Sequence, residues 1–255
     1  MAGELVIGVD GGSTKTAAVV MVDRKVIGKG MGPGSNRNSV GEKAAVDAFR
    51  QAVTEALTEA GRQMEEVKFV VMGMSGCDRP EDAAFWESAS KSVMPQAGAQ
   101  AENDAVAALC SGTEGELNGI VVISGTGSVS LGVCPGKERV RVGGWGPLLG
   151  DTGNGYHIGQ LALTAVMKVH DGRYPKTPLV DRLLSDLGLK DAEELLQLAY
   201  GDGTNQPHFS SWDRVAELAP AVMEVEAAHS CPVCAEILTA CANGICDLAI
   251  TAAQR

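Results

Sequence analysis

The residues best suited to chemistry form two short clusters of glycine and hydroxyl side chains, "DGGST" at residues 10–14 and "SGTGS" at 124–128. Each cluster lies between two apolar runs, which is the pattern of a strand, a tight turn and a second strand. Turns of this kind expose backbone N–H groups that can bind phosphate oxygens. For either cluster alone, a plain hairpin is the favoured alternative. Because the pattern occurs twice, with Asp10 leading the first copy and Thr126 inside the second, we expect two phosphate-binding turns.

Two other phosphate-binding motifs are excluded by the residues that follow these clusters. A Walker loop needs Gly-Lys-Ser/Thr between a strand and a helix, but Lys15 follows Thr14 and precedes a predicted strand. The segment "GTGSVS" lacks the last glycine of a dinucleotide fingerprint, and it also leads into a predicted strand. The expected turns are therefore of the strand–turn–strand type.

Asp104 in "AENDAVAA" is a candidate general base, since it lies between a predicted strand and a predicted helix. A carboxylate can accept the proton of a hydroxyl group that attacks a phosphoryl group. The residues alone favour the alternative, in which Asp104 caps the helix that begins "AVAAL". Turn roles are likewise open for Asn36 in "GSN", for Asp78 in "SGCDRP" and for Asp151 in "GDTG".

The composition excludes some classes of partner. The 255 residues carry 32 acidic and 21 basic side chains, a net charge of −11, which argues against nucleic acid and anionic membranes as partners. No uninterrupted apolar run reaches the ~20 residues of a membrane span. The N-terminus enters a strand-like pattern without a signal sequence, so we expect a cytoplasmic protein.

Seven cysteines in such a chain do not indicate a disulfide framework. "CPVC" at 231–234, with Cys241 and Cys246 after it, falls in an Ala-rich helical run. The spacing predicts buried helical thiols, with a metal or redox site as the alternative. The four histidines show no ligand spacing.

The predicted elements repeat along the chain. Residues 1–117 give the order β-β-β-α-β-α-β followed by a helix, and residues 118–255 begin again with three strands. An offset of 114 residues relates the two copies. The matching positions are Asp10 with Ser124, Val26 with Val140, and Gly30 with Gly144. We expect an α/β protein of two duplicated domains with a central cleft, the second carrying a helical insertion at about 150–210 and stopping before its last strands.

The quoted clusters, together with "GGWGPLLGDTGNGYHIG", "SNRNSVGE", "ENDAVAALCSGT" and "LTAVMKVHDGR", carry a resemblance to a known family. They resemble N-acetylglucosamine kinases of the plant and algal type, in the BadF/BadG branch of the sugar kinase, Hsp70 and actin superfamily. The resemblance implies duplicated ribonuclease H-like units, the actin-like ATPase fold. It also implies that the chain ends before the family's adenosine-binding turn and last helix.

The resemblance implies a role for each candidate residue in ATP-dependent phosphorylation of the N-acetylglucosamine 6-hydroxyl. Asp104 would be the catalytic base and would contact the sugar, and Asp10 would bind Mg²⁺ indirectly, through ATP. The ATP-binding positions would be Asp10, Gly12, Thr14, Gly125, Thr126, Gly127 and Ser128. The remaining sugar-binding positions would be Asn36, Gly144, Trp145, Gly146 and Asp151.

Two alternatives remain. The chain could be a BadF-type ATPase that activates an electron-transfer partner, in which case Cys134 is the only thiol near a plausible cluster position. It could also be a sugar or nucleotide sensor without turnover, because the adenosine-binding turn is not in the sequence. The resemblance also allows a homodimer.

Overall fold

The structure is a computed structural model that describes residues 3–201, Phe209 and residues 212–255. The chain divides into two compact units, Met1–Asn118 and Gly119–Arg255. Each unit has a sheet of its own.

The first unit contains a mixed five-stranded sheet with helices packed against it. The strands are β1 (Leu5–Gly11), β2 (Lys15–Val22), β3 (Lys25–Pro33), β4 (Val67–Met74) and β5 (Gly98–Asn103). The helices are α1 (Arg37–Val40), α2 (Glu42–Ala60), α3 (Pro80–Val93) and α4 (Asp104–Gly112). The spatial order of the strands is β3-β2-β1-β4-β5, in which β1, β2 and β3 are antiparallel and β1, β4 and β5 are parallel.

Side-chain alternation and small residues explain how this unit packs. Leu5, Ile7 and Val9 alternate along β1 and are buried, as expected for one face of a strand. Helix α2 buries a stripe that includes Phe49 and packs on β3. Gly30 of β3 permits this close approach, because an added Cβ there would overlap the backbone of α2.

The parallel strands bring three sequence-distant loops to one edge of the sheet. Asp10 of β1 lies beside Gly73 of β4, and Met74 of β4 lies beside Asn103 of β5. The loops that follow β1, β4 and β5 therefore meet at the carboxyl ends of these strands. In open α/β sheets, this is the edge at which ligands bind.

The second unit contains a smaller, antiparallel sheet and more helices. Its described strands are β6 (Gly119–Ser124), β7 (Ser128–Val133) and β8 (Val140–Gly143), in the order β6-β7-β8. Its described helices are α5 (Gly155–His170), α6 (Pro178–Leu187), α7 (Glu194–Tyr200), α8 (Trp212–Ala216), α9 (Ala219–His229) and α10 (Pro232–Gln254). Helices α5, α6 and α7 fall in the predicted helical insertion, of which residues 202–208 and 210 lie outside the described residues.

The two units share their opening strands but not the length of the first turn. In both, the first three strands form an antiparallel meander. Residues 11–16 separate Asp10 from its partner Ala17, whereas only residues 125–127 separate Ser124 from Ser128. Because the second turn is shorter, the offset of 114 fails for the second strand, although Val26 and Val140 still lie at corresponding positions, opposite Met21 and Gly132.

Most of the cysteines between Cys231 and Cys246 lie in helix α10. Cys234 and Cys241 are buried in α10, and Cys231 is buried directly before it, as predicted. The same expectation is wrong for Cys246, which is exposed. Among the described residues, no group of three or more His, Cys, Asp or Glu side chains is placed to bind a metal ion.

By length and composition alone, α10 is also apolar enough to cross a membrane, with a mean hydropathy of 1.6. It packs against α5, α9 and the strands of the second sheet. Core helices of globular proteins pass the same test, so this is weak evidence for a span, and the absence of a membrane partner stays a prediction.

Candidate active site

The first glycine-rich cluster forms a braced turn between β1 and β2. The Gly12 N–H donates to the Lys15 carbonyl at 2.9 Å, and the Ser35 N–H donates to the Gly12 carbonyl at 2.9 Å. Asp10 and Thr14 are exposed at this turn. The predicted turn is therefore present, and the side chains of Asp10 and Thr14 are accessible to solvent.

Asn36 lies against this turn and begins α1. Its Oδ1 accepts the N–H of Asn38 at 3.0 Å, which makes Asn36 the N-cap of α1. Its Nδ2 donates to Ser13 Oγ at 3.2 Å and to Ser75 Oγ at 3.4 Å. Asn36 is therefore a cap, as the turn alternative expected, and it also joins the first turn to the loop after β4.

Asp104 is the first residue of α4, at the carboxyl end of β5. The cap of this helix is Asn103, whose Oδ1 accepts the Ala105 N–H at 2.9 Å, although Asp104 Oδ1 also lies 3.0 Å from that nitrogen. The simple N-cap alternative for Asp104 is therefore wrong by one residue. Its carboxylate is half-buried beside the edge at which β1, β4 and β5 end.

The surroundings of Asp104 favour its neutral form more than water does. Burial raises the pKa of the Asp104 carboxyl above its ordinary value, and the hydrogen bond from the Ala105 N–H opposes that rise. The negative charges of Asp10 and Asp78 raise the pKa further. A carboxylate with a raised pKa accepts a proton more readily, which suits a general base.

Sequence reasoning missed Ser75 and did not foresee that Asp78, named there as a possible turn residue, joins two of these loops. Ser75 follows β4, and its N–H donates to the Gly11 carbonyl at 2.7 Å. Asp78 Oδ1 accepts a hydrogen bond from Asn103 Nδ2 at 2.9 Å. The available signal was positional, since Ser75 and Asp78 directly follow a strand that the apolar run already predicted as buried.

In the second unit, backbone hydrogen bonds hold the second glycine-rich turn. The Gly125 N–H donates to the Gly127 carbonyl at 2.9 Å, and the Gly155 N–H donates to the Gly125 carbonyl at 2.7 Å. Ser128 Oγ is buried and donates to the Thr152 carbonyl at 2.8 Å. The Ser128 hydroxyl is thus engaged inside the protein, whereas Thr126 lies at the tip of the turn.

Asp151 joins this turn to the loop that follows β8. Its Oδ1 accepts the Trp145 N–H at 2.8 Å, and its Oδ2 lies 2.9 Å from where a Cβ on Gly127 would be. Asp151 is buried and has a φ of 38°, which is uncommon for a non-glycine residue. Buried backbone strain of this kind concentrates at functional sites.

Glycines shape the rest of this loop, and a tryptophan lies exposed on it. Gly144 and Gly146 have φ values of 75° and 86°. The side chain of Arg141 lies 5.2 Å from the centroid of the Trp145 ring and donates to the Gly144 carbonyl at 2.5 Å. Trp145 is still 63% exposed. The structure therefore brings together the second-unit residues Gly127, Trp145 and Asp151 that the sequence singled out.

Comparison with known sequences gives this arrangement a context. The profile of the BadF/BadG/BcrA/BcrD ATPase family matches residues 7–255. The chain is 37% identical to an N-acetyl-D-glucosamine kinase of Dictyostelium discoideum, covering 97% of the chain and 79% of that protein. It is 36% identical to an N-acetylmuramic acid/N-acetylglucosamine kinase of Clostridium acetobutylicum, covering 84% of the chain and 70% of that protein.

A solved structure shares the fold. It is a protein of Chromobacterium violaceum described as a proposed N-acetylglucosamine kinase, with a TM-score of 0.75 and 23% identity. The match covers 96% of this chain and 82% of that one. The predicted α/β fold class is confirmed.

Proposed function

We propose that this chain, which belongs to the BadF/BadG/BcrA/BcrD ATPase family, is an ATP-dependent N-acetylglucosamine kinase that transfers phosphate to the sugar 6-hydroxyl. The observation that carries the proposal is the position of Asp104. A half-buried carboxylate with a raised pKa lies at the carboxyl ends of the parallel strands, in the field of Asp10, beside a braced glycine-rich turn. A phosphotransferase with a hydroxyl acceptor needs a base in such a place.

In this proposal, Asp104 accepts the proton of the sugar hydroxyl as that oxygen forms a bond to the γ-phosphorus. The bond between the γ-phosphorus and the β,γ-bridging oxygen breaks, and ADP leaves. A sugar hydroxyl is a weak nucleophile, so a positioned base contributes ~10²–10⁴-fold to the rate. The raised pKa of Asp104 makes proton acceptance more favourable than for an ordinary aspartate. The conjugate acid then remains half-buried until the phosphosugar leaves.

Each glycine-rich turn offers groups suited to the phosphates of a nucleotide. Thr14 in the first unit and Thr126 in the second present hydroxyl groups suited to phosphate oxygens, whereas the N–H groups of Gly12 and Gly125 already donate to the carbonyls of Lys15 and Gly127 and serve to hold the turns. Mg²⁺ neutralises phosphate charge when it is bound with ATP. Asp10 fits this ion as an exposed carboxylate that would meet it through the nucleotide or its water ligands, since Mg²⁺ in kinases keeps few protein ligands.

Each unit offers polar groups suited to a sugar. Asn36 offers an amide, Asp151 offers a carboxylate oxygen beside Gly127, and Gly144–Gly146 offer backbone groups next to Trp145. Sugar recognition commonly combines such polar contacts with an aromatic or apolar surface.

The test is a coupled kinase assay of the chain with ATP, Mg²⁺ and a panel of N-acetylglucosamine, N-acetylmannosamine, glucosamine and N-acetylmuramic acid. Phosphorus NMR of the product identifies the phosphorylated hydroxyl. We expect turnover with N-acetylglucosamine, product at the 6-position, and loss of turnover in Asp104→Asn. ATP hydrolysis that no sugar stimulates would instead favour an activator ATPase, and sugar binding without turnover would favour a sensor.

A further inference from the structure

A shielded ion pair lies beside the proposed site in the first unit. Arg37, the residue after Asn36, donates from its guanidinium to Asp82 Oδ1 on α3. The two side chains are only 20% and 10% exposed, and the guanidinium lies 4.8 Å from the centroid of the Phe85 ring. Such a pair is screened little by salt and holds its partners in one geometry.

The second oxygen of Asp82 holds a different segment. Oδ2 accepts the N–H groups of Asp78 and Arg79, at 3.1 and 3.0 Å, in the loop that begins α3. The Asp78 side chain in turn accepts a hydrogen bond from Asn103, the residue directly before Asp104. One carboxylate is therefore connected to the helix that Asn36 begins and to the strand end that presents Asp104.

A helix-capping role explains only half of these contacts. Capping accounts for Oδ2 of Asp82, which accepts the backbone N–H groups of Asp78 and Arg79 directly before α3. It does not account for Oδ1, which reaches across to Arg37 on another helix. Without Asp82, Arg37 would keep only a longer ion pair, at 3.8 Å, with the exposed side chain of Glu42. The pair with Asp82 is therefore the contact that constrains α1 relative to the loop after β4.

The contact between α1 and that loop is close. Gly76 has a φ of 76°, and an added Cβ there would lie 3.0 Å from Asn36 Oδ1 and 2.9 Å from Asn38 Nδ2. Because Asn36 is the N-cap of α1, a shift of α1 relative to the loop after β4 would also move the Asn36 amide. An interaction that fixes this distance also fixes where Asn36 meets a ligand.

We propose that Arg37 and Asp82 are positioning residues that set the distance between Asn36, which contacts the sugar, and Asp104, which activates it. The inference rests on the proposed kinase function. Neither residue touches the reacting atoms. Their effect is on the orientation of the acceptor sugar.

The experiment compares full-chain variants that remove the pair with minimal loss of packing. Arg37→Met keeps an unbranched stem on Phe85 but removes the charge, and Asp82→Asn keeps an oxygen for the α3 cap. Arg37→Lys retains a positive charge. Arg62→Met is the matched control, because Arg62 forms an exposed ion pair with Glu66 elsewhere in the same unit.

We expect Arg37→Met and Asp82→Asn each to raise the sugar KM by roughly tenfold to a hundredfold, since small misplacements of binding groups have effects of this size. The ATP KM should stay within about twofold and Arg37→Lys should recover part of the loss. The double variant should be no worse than either single variant, as for residues that act through one interaction. Equal changes in both KM values and kcat, or no change, would overturn the proposal.

Amide hydrogen exchange provides a readout that does not depend on turnover. The N–H groups of Asn38, Ser39, Val40 and Gly41 are bonded to Asn36 or Arg37. In Arg37→Met they should exchange at least about tenfold faster while α2 stays protected, and in Arg62→Met they should not change. If the wild type phosphorylates no sugar, the kinase proposal fails. Amide exchange alone then tests whether the pair of Arg37 and Asp82 holds α1 in place, and unchanged rates at these four amides would refute that role.

Discussion

The two units present their candidate site residues in different ways. In the first, the candidate groups are side chains: Asp104 follows the parallel strand β5, and Asn36 follows the antiparallel strand β3 and contacts Ser13 and Ser75 in the loops after β1 and β4. In the second, the sheet is antiparallel and the groups are mostly backbone, held in a short turn and in a loop with several positive φ angles. The candidate groups of the first unit are therefore mainly side chains, whereas those of the second unit are mainly backbone groups whose positions depend on the conformation of the loop.

This difference follows from sheet topology. Parallel strands end at one edge, so acidic and amide side chains from distant segments accumulate there. In the second unit, the antiparallel hairpin reverses the chain direction within residues 125–127. The groups at that end of the strands are therefore the backbone groups of the turn itself. The comparison predicts that isosteric side-chain changes have the greatest effect in the first unit, and glycine substitutions in the second.

The largest expected effect is in the first unit. Asp104→Asn keeps the shape of the side chain and removes the base, so kcat should fall by ~10²–10⁴-fold with a much smaller change in sugar affinity. Steady-state kinetics and calorimetric sugar binding measure the two quantities. A fall in kcat of less than tenfold would assign Asp104 a structural role. The first unit would then not supply the catalytic base.

The same substitution should stabilise the fold at neutral pH. The pKa of Asp104 is raised in the folded chain, so its stabilising contribution is present below the unfolded pKa and is lost as pH rises through the folded pKa. Asp104→Asn should therefore have a higher free energy of unfolding at pH 7, and the difference should vanish near pH 3. In the wild type, activity should fall as acid protonates Asp104, at a pH above the ordinary aspartate range.

Glycine substitution tests the second unit. Gly153 has a φ of 80°, and an added Cβ would overlap the Cys241 carbonyl oxygen, so Gly153→Ala should lose about 2–4 kcal/mol of unfolding free energy. Gly172 has a φ of 76° but open space around its Cα, so Gly172→Ala should lose only about 1–2 kcal/mol. Urea denaturation measures both. Equal losses would mean that packing against α10 does not fix this loop.

A smaller effect should separate nucleotide from sugar within the second unit. Thr126→Val removes the hydroxyl at the tip of the turn and should raise the KM for ATP by about tenfold, with less effect on sugar. Asp151→Ala should do the reverse, because Asp151 lies against Gly127 and Trp145. Matched changes in both KM values for either variant would contradict this division.

The smallest effect is expected at the exposed thiols. Cys134→Ser and Cys246→Ser should each change unfolding free energy by less than about 0.5 kcal/mol and leave kcat unchanged, because both side chains are exposed. Visible absorption of anaerobically purified protein provides the comparison. An iron–sulfur absorption band that Cys134→Ser removes would favour the electron-transfer activator.

The sequence predicted the elements well because each has a local cause. The apolar, β-branched run from Leu5 to Val9 predicted β1, apolar residues recurring every three or four positions predicted α2, and Pro80 predicted the start of α3. The glycine-rich clusters were identified as turns for the same reason. The very short α1 went unpredicted, since four residues are too few to show a period.

The sequence by itself therefore determined the class of fold, the two turns and the candidate carboxylates, since composition and periodicity are properties of neighbouring residues. Tertiary structure decided which of them meet. The contacts of Asp82 with Arg37, and of Asp78 with Asn103, join segments that are far apart along the chain. Such contacts depend on strand order and on helix placement to within about an ångström, because hydrogen bonds and ion pairs weaken steeply beyond that, and local sequence pattern carries no information at that precision.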